Sequence, residues 1–389
     1  MTASFIYDAV RTPFGRAGGA LGGVRPDDLA ATVMRASVER VGLDPARIDD
    51  VVFGDANQAG EDNRNVARFG ALLAGFPTSV TAVTVNRLCA SSLDAVIQGS
   101  RAIEAGDAEI VLAGGVESMS RAPYVVEKSP KPWPAAGNPT MWNTSIGWRM
   151  VNRALPAPWT ISNGEAAEKT ARGWRITREA QDAFAARSHR LAAQAWADGV
   201  FDAETVQVAG AQMARDEGIR DGVSLEVLAG LTPLFAADGS VTAGNSSSLN
   251  DGASAVLLGA EGAIDAEPLA RITGRAAHGV DPDQFPIAPI EAANKALARA
   301  GRSWAEVDVV ELNEAFASQS LACLAGWPDL DPGRLNIHGG ALAIGHPLGA
   351  SGGRVIGRAA HELRRRGHGV AVVAICIGVG QGLAVVLER

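Results

Sequence analysis

The sequence has few cysteines and no long apolar segment. It contains only 3 cysteines in 389 residues, and no two of them have CxxC spacing. This small, odd number excludes a disulfide framework and a four-cysteine zinc site, and it is typical of a reducing compartment. No stretch approaches about eighteen uninterrupted apolar residues, and the first residues lack a charged region followed by an apolar one. We therefore expect a cytoplasmic protein without a membrane span.

An excess of positive charge is also absent. The chain has 35 lysines and arginines against 43 acidic residues, which gives a net charge of −8. This balance argues against a general binding surface for nucleic acid or for anionic membranes. A ligand that carries phosphate groups would depend on a few local arginines.

Short apolar runs, in contrast, are abundant in the sequence. Segments such as DDVVFG, AEIVLAGG, DVVEL and VAVVAI alternate with longer helical patterns. This alternation is typical of buried parallel strands separated by crossover helices. With 47% hydrophobic residues the chain can bury a large core, and we expect a globular enzyme of the α/β class.

The chain contains this pattern twice. PDDLAATVMRASVERVG leads to IDDVVFG, and PIEAANKALARAG leads to VDVVEL, so that Val51 corresponds to Val309. CASSLDAVIQGSRAIEAG likewise parallels GASGGRVIGRAAHELRRRG. We predict two similar α/β halves around an insertion. The halves are residues 1–117, completed by 241–263, and residues 264–389, while residues 118–240 form an inserted loop domain placed to cover a cleft.

The three cysteines differ in their surroundings. Cysteine is usually a small core residue, and Cys323, inside a helical pattern, keeps that interpretation. Cys89 lies between the strand pattern TAVTV and a helix pattern, where unpaired N–H groups favour the thiolate, so we interpret it as a nucleophile. The repeat places His346 in the equivalent turn, and Cys376 ends a strand of the second half. Ligand sites lie beyond such strand ends, so we expect these side chains to share one cleft.

Four stretches carry this chemistry. They are NRLCASS at 86–92, NEAF at 313–316, GGALAIGHPLGASG at 339–352 and CIGVGQG at 376–382. In this order they resemble the thiolases, and the resemblance extends to DAVRTPFGR, AGGVESMSRAP and TAGNSSSLNDGA. It implies a duplicated fold with α-β-α-β-α layers, coenzyme A (CoA) as a substrate, no metal or redox cofactor, and a homodimer or homotetramer.

The resemblance also implies a reaction and roles for particular residues. The reaction is reversible, CoA-dependent cleavage of a 3-oxoacyl-CoA to acetyl-CoA and a shortened acyl-CoA. Cys89 would carry the acyl group, His346 would activate it, and Cys376 would act as general acid and base. The N–H groups of Gly378 and Cys89 would form one oxyanion hole. Asn313, through a water, and the His346 ring would form the other.

Four further residues would contact CoA. The resemblance points to Arg220 at the nucleotide phosphates and to Ser247 at the pantetheine arm. Phe235 and Phe316 would line the tunnel. Without the resemblance, we would interpret Arg220 as an ordinary solvated charge.

The sequence indicates the acyl chain of the substrate less clearly than it indicates the reaction. GEDNRNVARFGALLAGFP and SIGWR resemble 3-oxoadipyl-CoA thiolases, which exchange acetyl-CoA and succinyl-CoA. A chain that ends in a carboxylate requires an arginine or several donors. Three arginines are candidates, although each could be structural: Arg64, Arg68 and Arg149.

Other stretches favour a shorter substrate. DQFPIAPIEA resembles acetoacetyl-CoA thiolases, in which Phe285 and Pro286 would narrow the pocket. Asn163 occupies a position where many relatives carry methionine. We take 3-oxoadipyl-CoA as the expected substrate and acetoacetyl-CoA as the alternative.

Two more distant functions are open. A decarboxylating condensing enzyme would share the duplicated architecture and the nucleophile, but it would not need Cys376 and its glycine loop. A silent acyl-CoA-binding relative would have lost a catalytic residue, and none is missing. GVGQG at 378–382 is not a dinucleotide fingerprint, because only the strand-like LAVVLER follows it.

Overall fold

The computed structural model describes residues 2–58, 60–129 and 137–389. The strands in these ranges are β1 (Ser4–Arg11), β2 (Gly15–Arg16), β3 (Asp50–Gly54), β4 (Thr81–Val85), β5 (Ile110–Ser118), β6 (Tyr124–Val126), β7 (Met141–Asn143), β8 (Asn250–Ala260), β9 (Ala270–Gly279), β10 (Val309–Leu312), β11 (Val370–Ile377) and β12 (Gln381–Glu388). The helices are α1 (Pro26–Arg40), α2 (Val66–Leu73), α3 (Ser91–Ala105), α4 (Asn163–Gly173), α5 (Arg178–Ala197), α6 (Leu225–Ala229), α7 (Ala288–Ala300), α8 (Ala317–Ala325), α9 (Ala341–Ile344) and α10 (Leu348–Arg366).

Local sequence signals explain where several helices begin and end. Helix α1 begins with Pro26, which needs no N–H partner, and the carboxylates of Asp27 and Asp28 lie in its first turn. Helices α3 and α10 end at Gly106 and Gly367, whose φ angles are +83° and +82°. Glycine adopts this left-handed conformation readily, so both helices stop at corresponding points of the repeat.

The main sheet is mixed. Its strand order is β10-β11-β12-β9-β1-β8-β5-β3-β4, with β2 paired to β8. Strands β3, β4 and β5 are parallel, as are β10 and β11, which confirms the crossover units there. The other strands, β1, β8, β9 and β12, pair antiparallel with their neighbours. One reason is that a tight turn, without a crossover helix, joins β11 to β12.

The strands are apolar on both faces because helices cover both. On β5, Val111 and Ala113 face a cluster that contains the central helices α3 and α10, while Ile110 and Leu112 face α1 and α2. Strand β11 alternates in the same way between the central helices and the layer of α7 and α8. Successive residues of a strand point to opposite faces, so each run must be apolar throughout. The predicted α-β-α-β-α layering is confirmed.

The two central helices meet at their N-termini. A Cβ at Gly352 of α10 would lie 2.3 Å from the backbone nitrogen of Leu93 in α3, so only glycine permits this approach. The Gly353 N–H donates to the Ser92 hydroxyl across the same contact, at 2.9 Å. The turns that precede the two helices are therefore neighbours.

The segment between β5 and β8 contributes β6, β7 and helices α4 to α6. A buried ionic cluster ties part of this segment to both halves. Arg11 of β1 contacts Glu204 at 2.8 Å and Asp216 at 2.7 Å, and Arg358 of α10 contacts Glu204 at 3.0 Å. Within the described residues, no helix combines the length and the apolar character needed to cross a membrane.

Candidate active site

Cys89 lies in a tightly bonded turn between β4 and α3. The Asn86 side chain accepts the Leu88 N–H at 2.9 Å and donates to the Ala56 carbonyl at 2.9 Å. Leu88 has a φ of +48°, an uncommon conformation for this residue type, and Ser91 donates to its carbonyl at 2.7 Å. The turn holds Cys89 at the N-terminus of α3 with only 7% of its surface exposed.

Burial determines the protonation of this thiol. It raises the pKa of Cys89 to about 11, although the Gly378 N–H and the cysteine's own N–H act in the opposite direction. The expectation that the helix start favours the thiolate is therefore wrong for the resting protein, because the loss of hydration outweighs the backbone N–H groups. A thiol in this state requires a base before it can attack.

Cys376 lies on β11 beside Cys89. Burial raises its pKa well above the usual value, and the nearby Cys89 raises it further because two thiolates would repel each other. Its side chain is fully buried and packs with Phe285, Ala166 and Ala315. Two protonated sulfur atoms thus face the same region.

His346, immediately before α10, is held on three sides. Its backbone N–H donates to Asn250 Oδ1 at 3.0 Å, and its ring Nδ1 lies 2.6 Å from Ser351 Oγ. The Asn313 amide nitrogen lies 3.4 Å from both ring nitrogens. Burial and the positive charge of Arg354 lower the pKa of His346 to about 3. The ring is therefore neutral at physiological pH and can accept a proton.

The contacts of Ser351 favour one tautomer. Its hydroxyl also lies 2.9 Å from the Pro347 carbonyl, to which it can only donate. A hydroxyl has one hydrogen, so Ser351 must then accept from His346 Nδ1–H. This arrangement leaves Nε2 unprotonated, with the Asn313 amide as a distant donor at 3.4 Å.

Asn313 follows β10 and is fixed by its N–H, which donates to the Ala374 carbonyl of β11 at 3.0 Å. Its buried Oδ1 has no hydrogen-bond partner within the described ranges. A buried amide oxygen of this kind normally receives a donor, so this atom is suited to hold a water or a ligand group.

The turn from β11 to β12 carries Gly378. Val379 and Gly380 have φ angles of +63° and +79°, and a Cβ at Gly380 would lie 2.2 Å from the Val280 carbonyl oxygen. The turn brings the Gly378 N–H to the Cys89 sulfur. The Asn163 side chain faces the same turn, 3.6 Å from the position of a Cβ at Gly378.

The predicted CoA contacts are only partly brought together. The Ser247 N–H donates to the Ala315 carbonyl at 3.0 Å, and half-buried Phe316 packs near Cys376. Phe235 covers Gly164 of α4, where a Cβ would lie 2.2 Å from its ring. The side chain of Arg220 is exposed, and its backbone N–H donates to His189 at 3.2 Å.

Three residues of the site carry no signal of their own in the motifs. Asn250 holds the His346 backbone, Ser351 holds the ring, and buried Glu117 accepts the N–H groups of Ala56 at 3.0 Å and Gly349 at 2.8 Å. Ser351 could have been found as a hydroxyl about one helical turn beyond His346. The other two contacts join segments far apart in sequence.

The remaining candidates are placed as follows. The Arg68 guanidinium donates to the carbonyls of Val80 and Thr78, so it is structural. Arg64 is exposed, and half-buried Arg149 lies 3.5 Å from Asn57 Oδ1. Cys323 is in the core of the outer helical layer, as predicted.

The chain is similar to known proteins over its whole length. The family model "Thiolase, N-terminal domain" matches residues 4–262, and "Thiolase, C-terminal domain" matches residues 266–389. The chain is 48% identical to a beta-ketoadipyl-CoA thiolase of Escherichia coli over the full length of both, and 46% identical to one of Pseudomonas putida over 99% of each.

Solved structures give the same result. The chain superposes with a TM-score of 0.94 on human mitochondrial 3-ketoacyl-CoA thiolase in complex with CoA, at 37% identity with 100% and 98% of the two chains covered. The Bacillus anthracis acetyl-CoA acetyltransferase gives a TM-score of 0.92 at 37% identity, with 100% and 99% covered. The chain belongs to the thiolase family of acyltransferases.

Proposed function

We propose that this protein catalyses the reversible, CoA-dependent cleavage of 3-oxoadipyl-CoA to acetyl-CoA and succinyl-CoA. The observation that carries the chemistry is a neutral imidazole in the same site as two buried, protonated thiols. The substrate is supported by full-length relatives at 46–48% identity that are named beta-ketoadipyl-CoA thiolases.

Acyl transfer to the protein is the first half-reaction. His346 Nε2 takes the proton of Cys89, and the sulfur attacks the 3-oxo carbon. The bond between carbons 2 and 3 then breaks, and its electron pair forms the enolate of acetyl-CoA. Asn313, through a water on its unpartnered side, and the imidazole stabilise the enolate oxygen. Cys376 donates its proton to carbon 2, which releases acetyl-CoA.

The second half-reaction uses the Cys376 thiolate left by the first. It takes the proton from the thiol of free CoA, and the CoA sulfur attacks the thioester on Cys89. The Gly378 and Cys89 N–H groups stabilise the oxyanion. Cys89 leaves and recovers its proton from His346, so both thiols return to their resting state.

We also propose how CoA is held. Phe235, Phe316 and Ser247 line the path to the cysteines, and the exposed Arg220 meets the nucleotide phosphates at the surface. The loop domain at 118–240 covers this path, between the two α/β halves. An Arg220→Ala variant is expected to raise the Michaelis constant for CoA, and an unchanged constant would remove Arg220 from the site.

A homo-oligomer in the cytoplasm is part of the proposal. Strand β4 is an edge of the sheet, and Val83 on it is 42% exposed. Phe69, Leu72 and Leu73 of the adjoining α2 are also exposed, which gives an apolar surface beside a strand whose outer edge has no partner among the described residues. Sedimentation equilibrium is expected to give a multiple of the 40.1 kDa chain mass.

The direct test is turnover by the purified protein. We expect cleavage of 3-oxoadipyl-CoA in the presence of CoA, and loss of acyl transfer in Cys89→Ser. Cys323→Ala, which alters a buried cysteine outside the site, is the control and should retain turnover. Tight CoA binding without turnover would instead identify a silent relative, and dependence on malonyl thioesters would identify a condensing enzyme.

One observation favours the alternative substrate. Phe285 is buried in one cluster with Cys376, and a ring at this position would narrow the site, as expected for acetoacetyl-CoA. Measuring kcat/KM for acetoacetyl-CoA and 3-oxoadipyl-CoA under identical conditions separates the two substrates.

A further inference from the structure

We propose that Arg149 binds the terminal carboxylate of the acyl chain and so selects dicarboxylic 3-oxoacyl-CoA substrates. This inference rests on the proposed thiolase function and adds a residue that determines specificity. It is carried by the position of Arg149 near the Cys89 turn and by the absence of a carboxylate partner for it among the described residues.

The segment that contains Arg149 is anchored beside Cys376. The Trp148 indole N–H donates to the Ile161 carbonyl at 2.9 Å. Ile161 packs against the cluster that contains Cys376 and Phe285. The residue before Arg149 is therefore tied to the wall of the catalytic site.

The Arg149 side chain extends toward the Cys89 turn. Its Nη2 lies 3.5 Å from Asn57 Oδ1. The neighbouring Ala56 carbonyl accepts the Asn86 amide, and Asn86 in turn accepts the Leu88 N–H. A short series of contacts thus joins Arg149 to the residue before the nucleophile. In 3-oxoadipyl-CoA the carboxylate is only two methylene groups beyond the attacked carbon, so its partner must lie near this turn.

The guanidinium of Arg149 is available. Across the described parts of the chain, no carboxylate oxygen lies within the 4.0 Å of an ion pair with Arg149. Other arginines of the region are paired: Arg87 contacts Asp94 at 3.0 Å, and Arg121 contacts Glu61. A weak contact to one neutral amide leaves Arg149 able to bind a carboxylate through two N–H groups.

Nearby acids are turned toward backbone donors. Asp55 Oδ1 accepts the Asn57 N–H at 3.2 Å, and Glu117 Oε2 accepts those of Ala56 and Gly349. Burial raises the pKa of Glu117 to about 7, although these two N–H groups act in the opposite direction. Negative charge around Asn57, the residue that Arg149 contacts, is thereby reduced.

The test compares substrates that differ only at the chain end. Arg149→Gln is assayed with 3-oxoadipyl-CoA, with 3-oxohexanoyl-CoA, which has a methyl group in place of the carboxylate, and with acetoacetyl-CoA. A lost charge-assisted contact is worth roughly 2–3 kcal/mol, so kcat/KM for 3-oxoadipyl-CoA should fall about 30- to 150-fold. The values for the two uncharged substrates should change less than about threefold. Arg153→Gln, which alters an exposed arginine of the same segment, should leave all three unchanged.

Each of the other possible results would contradict a different part of the proposal. Equal loss on all three substrates would make Arg149 structural, and no loss would place the carboxylate elsewhere. Either result would leave the thiolase function intact. If the wild-type protein cleaved acetoacetyl-CoA but not 3-oxoadipyl-CoA, the proposed substrate and this inference would both fail. Absence of all turnover would refute the proposed function itself.

Discussion

At the scale of single residues, the site depends on removing charge from groups that must later carry it. Burial keeps both cysteines protonated and His346 neutral, so a proton can move from sulfur to nitrogen without a fixed ion pair. Charge then arises only during the reaction, where oriented N–H groups meet it.

The raised pKa of Cys89 predicts how fast it is alkylated. Below a pKa of about 11 the thiolate fraction rises about tenfold per pH unit, so the iodoacetamide rate at Cys89 should keep rising from about pH 7 to 10. Peptide mass spectrometry would follow the modification at this cysteine. Glutathione, an ordinary thiol, is the control and should level off near its own lower pKa. A plateau for Cys89 below about pH 8 would contradict the prediction.

Ser351 is predicted to be a positioning residue for His346. Ser351→Ala removes the acceptor of Nδ1–H, so the ring loses its fixed tautomer and kcat should fall about 10- to 100-fold with little change in KM. The informative readout is the ¹⁵N spectrum of His346. The wild-type proton should reside on Nδ1, and the variant should show both tautomers. An unchanged spectrum would mean that Ser351 serves packing alone.

Cys89 and Asn250 show which features of the site can be predicted from the sequence and which cannot. Motif order predicted which residues would share one site, because each follows a strand or precedes a helix. The thiol pKa could not be predicted locally, since it depends on the distant turn at Gly378 that encloses Cys89. The Asn250 contact with His346 joins segments about 100 residues apart and has no pattern in either.

At the scale of elements, the decisive feature is the meeting of α3 and α10. The repeat predicted that these helices correspond, and their N-terminal contact places the Cys89 and His346 turns side by side. Hydrophobic runs could not reveal strand direction, because a strand buried on both faces is apolar whether it runs parallel or antiparallel. The connections between the strands determined which of them run parallel and which antiparallel.

A glycine substitution tests this contact. In Gly352→Ala the new Cβ would clash with the Leu93 backbone, so the helices must separate. We expect a loss of about 1–3 kcal/mol in the free energy of unfolding, measured with urea, together with a large loss of activity. Gly173→Ala is the control, because this helical glycine has open space around it and alanine favours helix. Equal stability of both variants would show that the approach at Gly352 is unimportant.

At the scale of the whole molecule, a few buried charges join three parts of the chain that also share hydrophobic clusters. Arg11, Glu204 and Arg358 connect β1, the segment between the halves and helix α10. Burial alone would raise the pKa of Glu204, but Arg358 and Arg11 together lower it. The ionised form is therefore the one that the fold stabilises.

Removing one partner should cost more than any surface ion pair. Arg11→Met leaves Glu204 and Asp216 short of a buried counter-charge, so the free energy of unfolding at pH 7 should fall by about 3–5 kcal/mol. Arg172→Met is the control: it breaks an exposed ion pair with Asp238 and should change the free energy of unfolding by less than about 1 kcal/mol.

The pH dependence of this difference separates charge from packing. The pKa of Glu204 is lowered in the folded protein, so its stabilisation is present above the unfolded value of about 4.3 and is lost as the pH falls through the folded value. The gap between wild type and Arg11→Met in urea midpoint should therefore narrow in acid. A gap that stayed constant from pH 7 to below pH 4 would assign Arg11 to packing against Phe14 and Phe201, whose rings lie 5.3 Å from its guanidinium carbon.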